Sequence, residues 1–290
     1  VVFIIKRKKS TFMKINLNIL SAGLLLATAV SFSSCDDFLT RDPQDTVSDI
    51  ASFWNNEDNL RTSFLDYYTH FFPGYRSGWS RADNFAETNV ADWNDDNAQE
   101  AATFFTLVAP ASSTTDWNFN TVRDINLLIS RIESSTLADE AKNHWLGVGR
   151  LMRAMEYATL VQKFGDVPWF DKTVSSADND QLYRARDPRT TVMDNVKADL
   201  DFACQNIRVS DGTKGLSVNR AVAQGFASRI MLFEGTWQKY RAQNTAKATE
   251  YLNAAKGYAA DLMASGSYSI APSYKSLTTS EDLAGNPEIM

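Results

Sequence analysis

Two cysteines, Cys35 and Cys204, and two histidines, His70 and His144, are the chain's whole stock of thiols and imidazoles. They lie far apart, whereas zinc sites need clustered Cys and His at short spacings, so no metal ligand set is expected. Cys35 has a distinctive setting. Lys14 precedes a mostly apolar run at 15–30, and Phe32-Ser33-Ser34-Cys35 follows with small residues directly before the thiol. That run is short of the ~20 residues a spanning helix needs. A basic start, a short apolar stretch and small residues describe an export signal. The pattern reads as a lipobox: the signal is cut before Cys35, whose sulfur then carries lipid. An uncleaved membrane anchor or a buried free thiol are the competing readings, and Asp36-Asp37 argue against a helix continuing through a bilayer. Val1 is an odd start and Met13-Lys14 a better one, so residues 1–12 read as upstream sequence.

Other reactive constellations are missing. There is no Gly-x-Ser-x-Gly elbow, no His-Glu-x-x-His, no phosphate loop and no dinucleotide fingerprint. Gly147-Val148-Gly149 lies within a helical pattern and lacks a third glycine. No catalytic residue and no cofactor is expected, and the chain is read as a non-enzyme. The formal charge is −6, but Lys6, Arg7, Lys8, Lys9 and Lys14 all precede Cys35 and no acid does. Beyond them remain 24 basic against 35 acidic residues, a net of −11. With no basic cluster after Cys35, nucleic acid is a poor partner.

The elements that must hold any site are helical. After a polar tether around Asp42-Pro43, Leu60, Phe64, Tyr67, Tyr68 and Phe71 recur at spacings of three and four, predicting a helix over 57–71 capped by Asn55 or Asn56. Pro73-Gly74 ends it. Periodicity returns at 117–133, 138–163, 191–207, 220–237 and 245–264. Gly165 is expected to cap the second of these in a left-handed conformation, with Pro168 blocking continuation. Asn219 is the expected cap of the fifth helix. Tyr268-Ser269-Ile270 is the best short strand candidate. Between Tyr75 and Thr115 the pattern is lost, and Gly, Asp, Asn and Trp dominate. A long irregular insertion in a compact domain is usually functional or disordered, and the aromatics here argue against disorder. The fold class is therefore all-α: tetratricopeptide-like stacked helical hairpins with a long irregular loop insertion. No 34-residue consensus repeat is present, so the likeness is topological.

Several segments carry a resemblance. Cys35-Asp36-Asp37-Phe38-Leu39 with Asp42-Pro43, Arg150 to Ala154 leading to Phe164-Gly165-Asp166-Val167-Pro168, Arg186-Asp187-Pro188-Arg189, Asn219 to Phe233, Ser265-Gly266-Ser267-Tyr268 and Asn286-Pro287-Glu288-Ile289 occur in one order. Together they resemble the SusD/RagB family of nutrient-binding outer-membrane lipoproteins of Bacteroidetes, whose members run on for a further couple of hundred residues. The resemblance implies upstream residues and a signal peptide over 1–34, a lipid anchor and tether over 35–47, and the N-terminal helical domain over 48–290. It implies a surface-exposed lipoprotein of the cell outer membrane, held there by acyl chains such as palmitate on Cys35. Such a protein binds a glycan or peptide and delivers it to a SusC-like TonB-dependent transporter. In the family the long loop contributes to the glycan-facing surface. A sugar's C–H face packs on an aromatic ring while amides and carboxylates take its hydroxyls. Trp93, Asn94, Asp96 and Asn97 have that chemistry, and Trp79 and Tyr75 are further candidates. A non-nutrient helical-repeat adaptor and a lipid-anchored hydrolase are the alternatives.

Other residues are expected to be structural. Asn126 reads as a core amide bridging two helices. Arg150 and Arg153 should pair with acids on a neighbouring helix. Met152 and Met155 should fill core, Cys204 should be a small buried hydrophobe, and Asp166 should bond backbone in its turn.

Replacing Cys35 with Ala is expected to leave the fold intact and release the exported protein from membranes. Fractionation after a salt wash checks this, and retention of the variant with membranes would contradict the lipid anchor.

Overall fold

Asn56 starts the first described helix, its side chain accepting the backbone N–H of Asp58 at 2.8 Å. The computed structural model describes residues 52–72, 116–211, 217–273, 275 and 286–288. The chain divides into two units, Val1–Ile50 and Ala51–Met290, and every described residue belongs to the second. After a 3-10 turn at Phe53–Asn55 come α1 (Glu57–Phe71), α2 (Asn120–Ser134), α3 (Asp139–Phe164), the single turn α4 (Asn179–Leu182), α5 (Arg189–Asn206), α6 (Arg220–Trp237) and α7 (Thr245–Ala264). The ranges 57–71, 220–237 and 245–264 match the sequence expectation, and the other ends move by one to three residues. No strand forms among the described residues. The expected Tyr268-Ser269-Ile270 strand is instead an extended segment held by Ser269 N–H donating to the Pro287 carbonyl at 3.1 Å. One backbone bond cannot make a ladder.

Neighbours in sequence are neighbours in space. α2 packs on α3, α3 on α5, α5 on α6 and α6 on α7, while α1 lies on α3. This is the tetratricopeptide-like stack. The middle helix, α3, has neighbours on several sides, so its apolar residues wrap around it instead of forming one stripe. Leu151, Met152, Ala154 and Tyr157 have no exposed surface. Two glycines let neighbours come close. A methyl group at Gly149 would sit 2.9 Å from Ile129 of α2, and one at Gly147 2.8 Å from Ile207 beyond α5. The Gly-Val-Gly run, without chemical meaning in the sequence, is thus a packing device on two faces.

Several polar groups inside the stack are paired. Arg153 of α3 donates to Asp199 of α5 twice, at 2.7 and 2.8 Å, to Asn126 Oδ1 of α2 at 2.8 Å and to the Asp171 carbonyl at 2.9 Å. Asn126 returns a bond to the Phe170 carbonyl at 2.8 Å. Burial pushes the Asp199 carboxyl up and Arg153 opposes it. Arg153 and Asn126 therefore behave as expected. Arg150 does not: its guanidinium lies 4.1 Å over the Phe202 ring and makes no ion pair among the described residues. Cys204 is only partly buried, though apolar surroundings push its thiol up to about 12. Met152 and Met155 are core.

The turn after α3 depends on Gly165, whose φ of 73° is positive as expected. Its ψ of −110° lies outside the left-handed helical region, in a conformation open to glycine. Asp166 accepts the backbone N–H of Arg189 at 2.8 Å and so caps α5. The Arg189 side chain is buried against Glu234 of α6, at 2.7 Å, and lies 3.8 Å from the Trp237 ring centroid.

A second charge cluster fastens α1. Arg208 bonds Glu57 of α1 and Glu140 of α3 at 2.7 Å each and Asp211 at 3.0 Å. Trp145 Nε1 donates to Glu57 at 3.0 Å. The Arg208 hydrogen bond holds Glu57 below the usual carboxylate range. Burial pushes Asp211 up, but bonds from Arg61 and Arg208 outweigh it and leave the group lowered. His144 has no exposed surface and accepts the Arg208 backbone N–H at Nδ1, 3.2 Å away. The neutral ring therefore carries its proton on Nε2, 3.5 Å from Asp211. Burial lowers its pKa from 6.5.

Removing one partner of a buried pair strands the other, at about 3–5 kcal/mol. Asp199→Ala is expected to cost an amount of that order in chemical denaturation, with a matching loss of melting temperature. The lowered His144 pKa means that acid protonates the unfolded chain first. Its contribution to stability is therefore complete above 6.5 and shrinks as pH falls below that value. His144→Gln should flatten the fall in stability between about pH 7 and about pH 5. An unchanged pH profile would contradict the buried neutral imidazole.

Candidate functional site

Where α1 ends, its last turn carries His70 to the wall of a cleft of about 940 Å³. Phe71, Met155, Leu160, Phe226 and Ile230 give the cleft an apolar lining, with Thr159, Asn118 and Arg229 among the polar groups around it. His70 Nε2 lies 2.8 Å from Glu156 Oε2 of α3. Lys163, also on α3, lies 3.2 Å from Asp116. Both carboxylates of the cleft are thus engaged with cations or imidazole. The arrangement offers a hydrogen-bonding pair on a wall of mixed polar and apolar groups, a chemistry suited to holding a polar solute. Phe233 and Leu232 of α6 also line it and remain substantially exposed.

The cleft also marks where a long segment attaches. Phe72 precedes residues 73–115, and its ring meets Tyr68 and Phe226 edge-on at 5.5 Å each. Asp116 follows that segment and is held by Lys163. Trp117 packs edge-on against Phe119 and Phe164 at 5.3 and 5.0 Å, with the Arg186 guanidinium 4.5 Å from its ring centroid. The described residues on either side of that segment thus contact the helical body.

Of the site residues read from sequence, Tyr75, Trp79, Trp93, Asn94, Asp96 and Asn97 lie outside the described residues, as does Cys35. The sequence reading missed His70, Glu156 and Lys163 as partners on one cleft. His70 and Glu156 stand 86 positions apart, so no local spacing could have joined them. Among the described residues no group of three or more His, Cys, Asp or Glu is placed to hold a metal ion. No helix among them is long and apolar enough to cross a membrane.

No family model matches the chain. Similarity to individual proteins is clearer. SusD-like protein P38 of Formosa agariphila is 24% identical over 243 residues, which cover 79% of this chain and 44% of that protein. Among solved structures, a SusD homolog from Bacteroides thetaiotaomicron VPI-5482 is similar with a TM-score of 0.54 at 16% identity, over 79% of this chain and 45% of that one. NanU of B. fragilis matches with a TM-score of 0.54 at 19% identity, over 82% of this chain and 47% of that one. The chain thus spans less than half the length of these relatives. At such identities the structural matches establish a shared fold. Over most of its length the chain is similar in sequence to one SusD-like protein and shares its stacked-helix fold with these solved structures.

Proposed function

We propose that this chain forms the helical part of a cell-surface lipoprotein that binds an extracellular nutrient, a glycan, for uptake. Acylated Cys35 anchors it in the outer membrane, and a SusC-like TonB-dependent transporter receives the ligand. The observation that carries this reading is the similarity in sequence and fold to SusD-like proteins over about four-fifths of the chain, which follows a stretch that reads as an export signal cut before Cys35.

The chemistry of the segment between α1 and α2 supports a glycan over a peptide. Trp93, Trp79 and Tyr75 provide rings for the C–H face of a sugar, and Asn94, Asp96 and Asn97 provide acceptors and donors for its hydroxyls. A rigid body is what such a site needs, because ordering a mobile scaffold on binding would cost affinity. The residues flanking the segment, Phe72 and Asp116, both contact that body. The net charge of −11 beyond Cys35 favours a neutral ligand over an anionic one.

A glycan array probed with the full-length protein, followed by calorimetry on the strongest oligosaccharide, tests the reading. Trp93→Ala is expected to weaken that affinity by about tenfold or more without lowering the melting temperature. Unchanged affinity would reject the segment as the glycan site.

A further inference from the structure

The chain's two histidines sit at opposite ends of the contact between α1 and α3. His70, on the last turn of α1, meets Glu156 of α3 at 2.8 Å. His144, near the start of α3, lies among the charged groups that fasten the start of α1. One imidazole is half exposed and the other has no exposed surface.

The buried ring has no room for a second proton. Its Nδ1 accepts the Arg208 backbone N–H at 3.2 Å, so the neutral ring carries its proton on Nε2. Nε2 is buried without a hydrogen-bond partner, and Asp211 Oδ2 lies 3.5 Å from it. A second proton has only Nδ1 to go to, and there it meets another donor. The Arg208 backbone must then move away. The same residue is the clamp of α1, since its guanidinium joins Glu57 of α1 to Glu140 of α3 at 2.7 Å each.

Charged groups face His144 from every side of the cluster: Glu57 from α1, Glu140 from α3 itself, and Arg208 and Asp211 from the loop after α5. Arg61 of α1 joins them by bonding Asp211 at 3.2 Å. All three carboxyls are held below their ordinary values, so they stay ionised down to about pH 5. Within this cluster the imidazole is therefore the group that changes charge in mild acid. The other end of α1 responds in the opposite sense. A proton gained by His70 turns its hydrogen bond to Glu156 into an ion pair.

We propose that the two histidines make α1 a pH-sensitive latch: protonation of His144 loosens the first half of α1 from α3, while His70 and Glu156 keep its last turn at the larger cleft. Loosening uncovers Leu60 and Phe64, which are fully buried, and parts Phe64 from the Trp145 ring that it stacks on at 5.7 Å. The chain just before α1 stays attached, because Asn55 accepts the Thr136 N–H at 2.7 Å, a bond with no titrating group. The change is local to α1, which separates it from a general loss of stability in acid.

Hydrogen exchange on the full chain tests this, read by mass spectrometry as protection factors corrected for intrinsic rate at about pH 7 and about pH 5. Amides around Leu60 to Phe64 are expected to lose about tenfold in protection in acid, while Phe71, Phe72 and α6 keep theirs. His144→Gln keeps an acceptor for the Arg208 N–H and takes up no proton, so it should abolish the loss. His70→Gln should extend the loss to the last turn of α1. If His144→Gln fails to fold, the unaltered chain and His70→Gln decide the matter. Unchanged protection of Leu60 to Phe64 in acid, an equal loss in α6, a loss that persists in folded His144→Gln, or a last turn indifferent to His70→Gln would each overturn the proposal.

Discussion

Arg153 stands where α2, α3, α5 and the loop after α3 converge, and its four hydrogen bonds reach all of them. A guanidinium so enclosed cannot be left alone, because the desolvation of an unpaired charge far exceeds any packing gain. The helices must therefore approach in the one register that brings Asp199 and Asn126 to it. Apolar burial supplies most of the driving force for such a stack but little directional information. The buried pair supplies direction. Arg189 against Glu234 repeats the device one helix further along, between α5 and α6. The glycines complement it, since Gly149 and Gly147 bring α2 and the end of α5 close enough for short side chains to meet.

Much of this was legible in the sequence, and the reasons are local. Apolar residues at spacings of three and four placed the helices, and short-range signals such as Asn56, Asn219 and Gly165 placed several of their ends. Asp166 in its turn and Arg153 with an acid on a neighbouring helix were readable as roles, though their partners Arg189 and Asp199 stand 23 and 46 positions away. What escaped were the pairings between distant positions. His70 with Glu156 and Arg208 with Glu57 depend on how helices stack, which no window of sequence records. Arg150 was misread for a related reason. A charged residue on a helix flanked by acids suggests an ion pair, but a nearby aromatic ring competes for a flat guanidinium, and Phe202 won. The strand expected at Tyr268 failed because three residues with one partner cannot build a ladder.

The same packing logic connects the fold to the reading of function. A stack of helices tied together by buried ion pairs offers a preordered support. Phe71 and Asp116, on either side of residues 73–115, both line the larger cleft, and α1 itself is fastened to α3 by Arg208, Glu57 and the buried His144. A surface that must hold a solute outside the cell gains from this arrangement, because the scaffold is already ordered before the ligand arrives.

We propose this helical body as the capture component of an outer-membrane importer, and affinity purification of the full-length protein from mildly solubilised outer membranes, read by mass spectrometry, puts that to the test. A TonB-dependent β-barrel transporter recovered in near-equal amount with the lipoprotein is the expected result. A partner set without any such transporter would overturn the proposal.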